Sequence, residues 1–203
     1  WMAGDVSAST GIKGAGDFLS KTIRGKVTGE SVIKPEYTGD GTLVLEPTYK
    51  HIILLDLDEW GNSIVLDDGL FLACESTLKQ KAVRRKTFSS AFAGGEGFFN
   101  LGLKGSGVVC IESDCSREEL VEITLEDDVV KIDGNLAIAW SGSLDFTVER
   151  AGKSLLGSAA SGEGLVNVYR GTGKVLLAPV GNQAMKPQQV IEKEPVIVGD
   201  DDE

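Results

Sequence analysis

One spacing recurs along this chain and restricts its fold more than any other feature. A Gly-Glu pair begins at Gly29, at Gly95 and at Gly162, so successive pairs are 66 and 67 residues apart. Each pair is followed by a Gly-x-Gly element, and these elements occupy residues 39–41, 105–107 and 171–173. Because an internal period of this regularity constrains a fold more than an isolated motif does, the sequence predicts a module copied in tandem.

The flanks of the Gly-x-Gly elements indicate β-structure. Apolar or alternating runs lie on both sides of each element, as in a β-hairpin, whose tight turn favours glycine. The chain has 26 glycines and only 6% aromatic residues, which is typical of short strands joined by tight turns. We therefore expect an all-β barrel or sandwich, built from three tandem hairpin-based repeats in a pseudo-threefold arrangement.

The remainder of the unit recurs in part. Residues 68–85 match residues 133–150 at an offset of 65, whereas the third unit has no such partner downstream. Strands are expected at 51–57, 63–67, 78–85, 120–125, 129–132 and 144–150, and the turn between the fourth and fifth of them is expected at 126–128. The boundaries predicted are one domain over 1–180, with units of about 1–67, 68–133 and 134–180, followed by a flexible acidic tail at 181–203. The start at Trp1, which resembles the segment from Trp140, suggests a fragment or a processed form.

Charge and composition limit the partners. A net charge of −11 opposes nucleic acid at long range, because that binding depends on Lys and Arg displacing counterions. No apolar run approaches the roughly 20 residues of a transmembrane helix, so any membrane association is expected to be peripheral. Three cysteines without paired spacing favour a reducing, cytoplasmic compartment.

Catalytic chemistry has few candidate residues. His51 is the only histidine, so the chain by itself cannot supply a catalytic Ser-His-Asp or Cys-His group or a multi-histidine metal site. This also argues against a cupin-like metal enzyme. We expect a protein that is not an enzyme and has no cofactor.

Three carboxylates occupy equivalent positions of the repeat: Glu30, Glu96 and Glu163. A threefold arrangement would gather them, and converging carboxylates can hold a hard cation such as calcium. The simpler interpretation is that each glutamate accepts a hydrogen bond from a backbone amide beside its loop.

One basic cluster stands out, formed by Lys79, Lys81, Arg84, Arg85 and Lys86. In an extended strand Lys79, Lys81 and Arg85 share a face, where they would contact phosphate, a lipid headgroup or an acidic partner. The simpler interpretation is a solvated sheet face or an edge strand protected by charge against aggregation.

The Gly-Glu elements, the Asp-Gly-Leu-Phe-Leu-Ala-Cys segment at 68–74 and the Phe-Ala-Gly-Gly-Glu-Gly segment at 92–97 together resemble the altered-inheritance-of-mitochondria protein 24 family. The resemblance covers about residues 1–180. It places the chain in the superfamily that shares the fold of the tryptophan RNA-binding attenuation protein (TRAP), and so implies a TRAP-like β-sandwich of repeated units, of the double-stranded β-helix type. Family members usually carry a further strand pair before the Trp-Met element, which this chain lacks.

The resemblance also bears on function. Eukaryotic relatives are associated with the mitochondrial inner membrane and its architecture, so a mitochondrial location is implied for a eukaryotic member. No catalytic residue carries over. We expect a scaffold or interaction protein that forms a homo-oligomer, with open strand edges of incomplete units available to this contact or to a protein partner. The alternative is a barrel that binds a small ligand or RNA.

Overall fold

The computed structural model describes residues 1–9, 35–45, 48–84, 86–87, 99–133, 136–150 and 165–179. The glutamates at 30, 96 and 163, Arg85 and the tail at 181–203 lie outside these residues. The described strands are β1 (Met2–Ser9), β2 (Glu36–Leu43), β3 (His51–Asp56), β4 (Ser63–Leu66), β5 (Phe71–Cys74), β6 (Lys79–Arg84), β7 (Lys86–Thr87), β8 (Phe99–Lys104), β9 (Val108–Ser113), β10 (Val121–Asp133), β11 (Ala137–Ser141), β12 (Asp145–Arg150) and β13 (Leu165–Leu177).

The strands form three separate sheets. An eight-stranded sheet has the order β6-β8-β4-β11-β13-β12-β7, with β10 paired to β13 as well. A three-stranded sheet has the order β3-β9-β5, and β1 pairs with β2 alone. The all-β prediction is therefore confirmed, with a 3-10 helix at Leu57–Trp60 as the one helical element described. The barrel prediction is wrong for the described residues, because none of these sheets closes on itself.

The core forms where alternating strand residues turn inward. Along β9 the residues alternate between half-buried and buried, and Val109 and Ile111 are fully covered. The facing residues Ile53 and Leu55 of β3 are buried in the same cluster. A second cluster surrounds Trp140, whose ring centroid lies 5.0 Å from that of Phe146 and 5.3 Å from that of Tyr169. Strand periodicity thus places both cores beneath the sheets.

None of the three Gly-x-Gly elements forms the turn of a hairpin, so the hairpin prediction is wrong. Residues 39–41 lie inside β2 and residues 171–173 inside β13. Residues 105–107 join β8, which pairs with β4 and β6, to β9, which pairs with β3 and β5. The glycines adopt positive φ, for example +140° at Gly105 and +142° at Gly107. A glycine with positive φ is compatible with a hairpin turn and also with a sharp bend of the chain. Which of the two forms depends on the strands with which the flanking residues pair.

The backbone pairing recurs along the chain at the spacing of the glycines. Lys79 of β6 pairs with Lys104 of β8, and Asp145 of β12 pairs with Arg170 of β13; 145 − 79 and 170 − 104 are both 66. Phe71 of β5 pairs with Ile111 before a register shift, and Ala137 of β11 pairs with Leu177 before a shift at the corresponding place. Two stretches of the chain therefore share one pattern of strand pairing.

The stretch between β3 and β4 differs from its counterpart. Before β4 the chain forms the 3-10 helix, which ends at Gly61 in the left-handed conformation. At the corresponding place β10 continues as one strand, with an irregularity between Leu125 and Asp128. The turn predicted at 126–128 is therefore a bulge, in which Asp127 has a φ of 52°. Its amide donates to Thr172 Oγ1 at 3.0 Å, which stabilises the bulge beside the bend of β13.

Candidate interaction surfaces

The basic cluster lies along an outer strand of the eight-stranded sheet. β6 pairs with β8 alone among the described strands, and Lys79 and Lys81 are exposed on it. Arg84 and Lys86 belong to β6 and β7, and Arg85 lies outside the described residues. Lys104 is also exposed and is the cross-strand partner of Lys79, a neighbour that sequence proximity did not reveal. Cationic side chains on an outer strand fit protection of a sheet edge.

Apolar side chains are exposed on the outer side of the three-stranded sheet, next to Glu112, which is the cross-strand partner of Ile52. Leu54 is 67% exposed and Ile52 is 49% exposed, although Ile53 and Leu55 between and beside them are buried. Leu54 pairs with the half-buried Cys110 of β9, and Cys110 pairs in turn with Ala73 of β5. We call Ile52, Leu54, Ala73 and Cys110 the outer apolar face. The sequence predicted strand β3, but its run of four aliphatic residues did not show which of them face solvent.

A cleft of about 1050 Å³ separates β2 from β5. Tyr37, Leu43 and Leu45 line its β2 side. Its other side is formed by β5 and the turn after it, with the carboxylates of Glu75 and Glu112. Glu36 is a third acidic residue in the lining, and no Lys or Arg of the described residues contributes to it. The cleft is therefore lined by both apolar and acidic residues.

Two cysteines, Cys74 and Cys110, have thiol pKa values raised by their surroundings. Burial is the main cause that raises the pKa of the Cys74 thiol, and the Glu75 carboxylate adds to it while a hydrogen bond from Gln80 opposes it. Burial, and then the charge of Glu112, raise the pKa of Cys110. Since the thiolate is the reactive form, both thiols have low reactivity at neutral pH.

Ion pairs join neighbouring strands of the eight-stranded sheet. Lys174 Nζ lies 2.8 Å from Glu122 Oε1 and 5.8 Å from the centre of the Trp60 ring. Arg170 lies 2.7 Å from Glu149 Oε1, and this hydrogen bond is the main cause that lowers the pKa of Glu149. Among the described residues no three His, Cys, Asp or Glu side chains are grouped as metal ligands would be.

Comparison with known proteins bears on this arrangement. The family model for Mitochondrial biogenesis AIM24 matches residues 1–180. The chain belongs to the AIM24 family. An uncharacterised AIM24-type relative from Streptococcus pyogenes serotype M6 is 31% identical over 180 residues, which cover 85% of this chain and 70% of that protein. The predicted family membership is therefore confirmed.

A solved structure supports the fold of this AIM24 family member. The crystal structure of a Streptococcus pyogenes protein from a structural genomics programme matches 91% of this chain and 81% of its own, with a TM-score of 0.64 and 29% identity. Within the residues described for our chain, no helix has the length and apolar character needed to cross a membrane.

Proposed function

We propose that this AIM24 family member is a non-catalytic scaffold protein that self-assembles by packing its outer apolar face against another copy. The observation that carries the proposal is the exposure of Leu54 and Ile52, 67% and 49%, on a strand whose other aliphatic residues are buried. A cluster of exposed apolar side chains on a sheet marks an interaction site more often than isolated ones do. Covering both side chains would contribute about 25 cal/mol for each Å² removed from water.

The chemistry of the described residues supports a role without catalysis. His51 lies at the start of β3, and the Cys74 and Cys110 thiols have raised pKa values. A catalytic nucleophile needs the opposite shift or an adjacent base. The family's association with mitochondrial biogenesis fits a structural role. For a mitochondrial member we propose a peripheral location at a membrane, and for any other member a cytoplasmic location.

A pseudo-threefold arrangement of three units is part of the proposal. Leu43 and Val175 each lie two residues after a Gly-x-Gly element. Leu43 pairs with Met2, and Val175 pairs with Trp140, so Met2 and Trp140 occupy corresponding positions. Met2 is 49% exposed and Trp1 71% exposed, whereas Trp140 is 3% exposed. Trp1 and Met2 are thus exposed where the corresponding Trp140 is buried. This difference supports a third unit whose packing against the other two would cover Trp1 and Met2.

The cleft favours a second candidate function, binding of a small apolar or cationic ligand. Its volume of about 1050 Å³ lies just above the usual range for ligand sites, roughly 300–1,000 Å³. Three acidic residues in its lining argue against RNA, which requires cationic or stacking contacts.

Light scattering on purified protein tests self-assembly. We expect a defined multimer, and we expect Leu54→Lys to raise the dissociation constant by about tenfold or more, because it places a charge in the contact. Val129→Lys is the matched control, since Val129 is also a half-exposed apolar strand residue (47%) but lies on β10. A wild-type protein that stays monomeric at high concentration contradicts the proposal, as does an L54K protein that assembles like the wild type.

A further inference from the structure

The position of β4 shows how units of this protein join. β4 lies between β8 and β11, with Val65 paired to Gly102 on one side and to Trp140 on the other. β8 is the strand just before a Gly-x-Gly bend, and β11 belongs to the following stretch of chain. A short apolar strand thus fills a slot between two stretches and hydrogen-bonds to both.

The second half of β10 is the counterpart of β4. Val129 pairs with Arg170 and Ile132 with Asn167, whereas Ser63 pairs with Lys104 and Leu66 with Leu101. Every number in the first set exceeds its counterpart by 66. The strand that precedes a Gly-x-Gly bend therefore takes the same kind of apolar partner in both cases.

The cleft is the corresponding slot beside the first bend. By the same offset of 66, residues 101–104 of β8 correspond to residues 35–38 at the start of β2. Residues 139–141 of β11 correspond to residues 73–75 at the end of β5. Pro35, Glu36 and Tyr37 line one side of the cleft, and Ala73, Cys74 and Glu75 line the other. Among the described strands β2 pairs only with β1, and β5 only with β9. The cleft therefore lies between two strand edges that face each other.

A segment of this chain has the right sequence and position to fill the slot. Pro-Val-Ile-Val at residues 195–198 lies 66 residues after Val129–Ile132 and 132 after Ser63–Leu66. It resembles the Ser-Ile-Val-Leu of β4, since both are short, apolar and β-branched, and such residues favour strands. Proline is tolerated as the first residue of a strand. These residues belong to the part of the chain that the structure does not describe.

Chain length permits this placement. β13 ends at Leu177, 18 residues before Pro195, and an extended chain spans up to roughly 3.3 Å per residue, or about 60 Å in all. Composition predicts a flexible acidic tail here, and the acidic residues 200–203 come only after the apolar segment.

We propose that residues 195–198 of the same chain occupy the cleft as a strand between β2 and β5. In the register of β4, Ile197 takes the place of Val65 and lies opposite Cys74, as Val65 lies opposite Trp140. The apolar lining supplied by Tyr37 and Leu43, which are 38% and 36% exposed, is then covered. This inference does not depend on self-assembly through the outer apolar face, and it replaces the second candidate function, because the docked strand takes the space that a small ligand would occupy.

The native Cys74 allows a direct test with one substitution. Directly opposed strand residues have Cα atoms about 4.5–5.5 Å apart, within the range that a disulfide spans. The full-length Ile197→Cys variant would place a cysteine at that distance from Cys74. Mild oxidation at slightly alkaline pH, where the Cys74 thiol ionises, should join the introduced thiol to Cys74 within one chain. Non-reducing electrophoresis and peptide mass mapping identify the bond.

Matched variants separate docking from random collision. Val198→Cys, one residue out of register, should cross-link to Cys74 roughly tenfold more slowly, because its Cβ points to the other side of the strand. Cys74→Ser in the Ile197→Cys background should abolish the product. Equal rates at 197 and 198, a product with another cysteine, a product between two chains, or no product would each overturn the inference. A monomer on light scattering with the intrachain bond present would overturn the proposed function alone.

Discussion

Asn100 of β8 donates a hydrogen bond from Nδ2 to the main-chain carbonyl oxygen of Leu66 at 3.1 Å. The same nitrogen lies 3.2 Å from Asp67 Oδ1. The Asn100 side chain is 1% exposed, so the bond is formed away from water. It fixes the end of β4 against β8, just where the chain leaves the eight-stranded sheet.

Removing this amide should destabilise the protein. We expect Asn100→Leu to lower the free energy of unfolding by about 1–3 kcal/mol, because the buried Leu66 carbonyl loses its side-chain donor. Urea unfolding followed by tryptophan fluorescence measures the change. Ser106→Ala is the control: Ser106 Oγ donates to Asp58 Oδ2 at 3.0 Å in an exposed position, and its loss should cost less than about 0.5 kcal/mol. Equal effects of the two substitutions would refute the role given to Asn100.

The bend inside β13 requires glycine for two reasons. Gly173 has a φ of +157°, and a Cβ there would meet Ser141 Cβ at 2.8 Å. Gly173→Ala should therefore cost about 1–3 kcal/mol through strained backbone, and repulsion from Ser141 adds to this. Gly61→Ala is the comparison, because Gly61 has a φ of +67° with no atom within 4 Å of the added carbon. Thermal unfolding should rank G173A below G61A, and the reverse order would contradict the described contact.

The Glu149–Arg170 pair should make stability depend on pH in the acid range. The hydrogen bond from Arg170 is the first cause that lowers the pKa of Glu149 in the folded protein. A lowered carboxyl pKa stabilises the fold above the ordinary pKa of the group, and this stabilisation is lost as pH falls through the folded value. The Tm difference between wild type and Glu149→Gln should therefore be largest near neutral pH and shrink on acidification. A difference that does not change with pH would exclude this linkage.

The repeated spacing predicted much of the local structure. The strands expected at 78–85 and 144–150 form as β6 (Lys79–Arg84) and β12 (Asp145–Arg150), because alternating side chains specify extended chain over a few residues. The hairpin interpretation of the Gly-x-Gly elements was wrong because glycine permits positive φ in a turn and in a bend alike. Lys104 joins Lys79 only through the pairing of β8 with β6, a contact between residues distant in sequence.

The sequence by itself determined that this chain forms strands, that its Gly-x-Gly elements recur at a fixed spacing and which family it belongs to, since these depend on local propensity and on a motif pattern. Only the tertiary structure decided which strands pair, that Leu54 faces outward while Leu55 is buried, and that a cleft opens between β2 and β5. The physical reason is that sheet pairing joins residues far apart along the chain, so the face that each side chain presents is fixed by partners that no local pattern names.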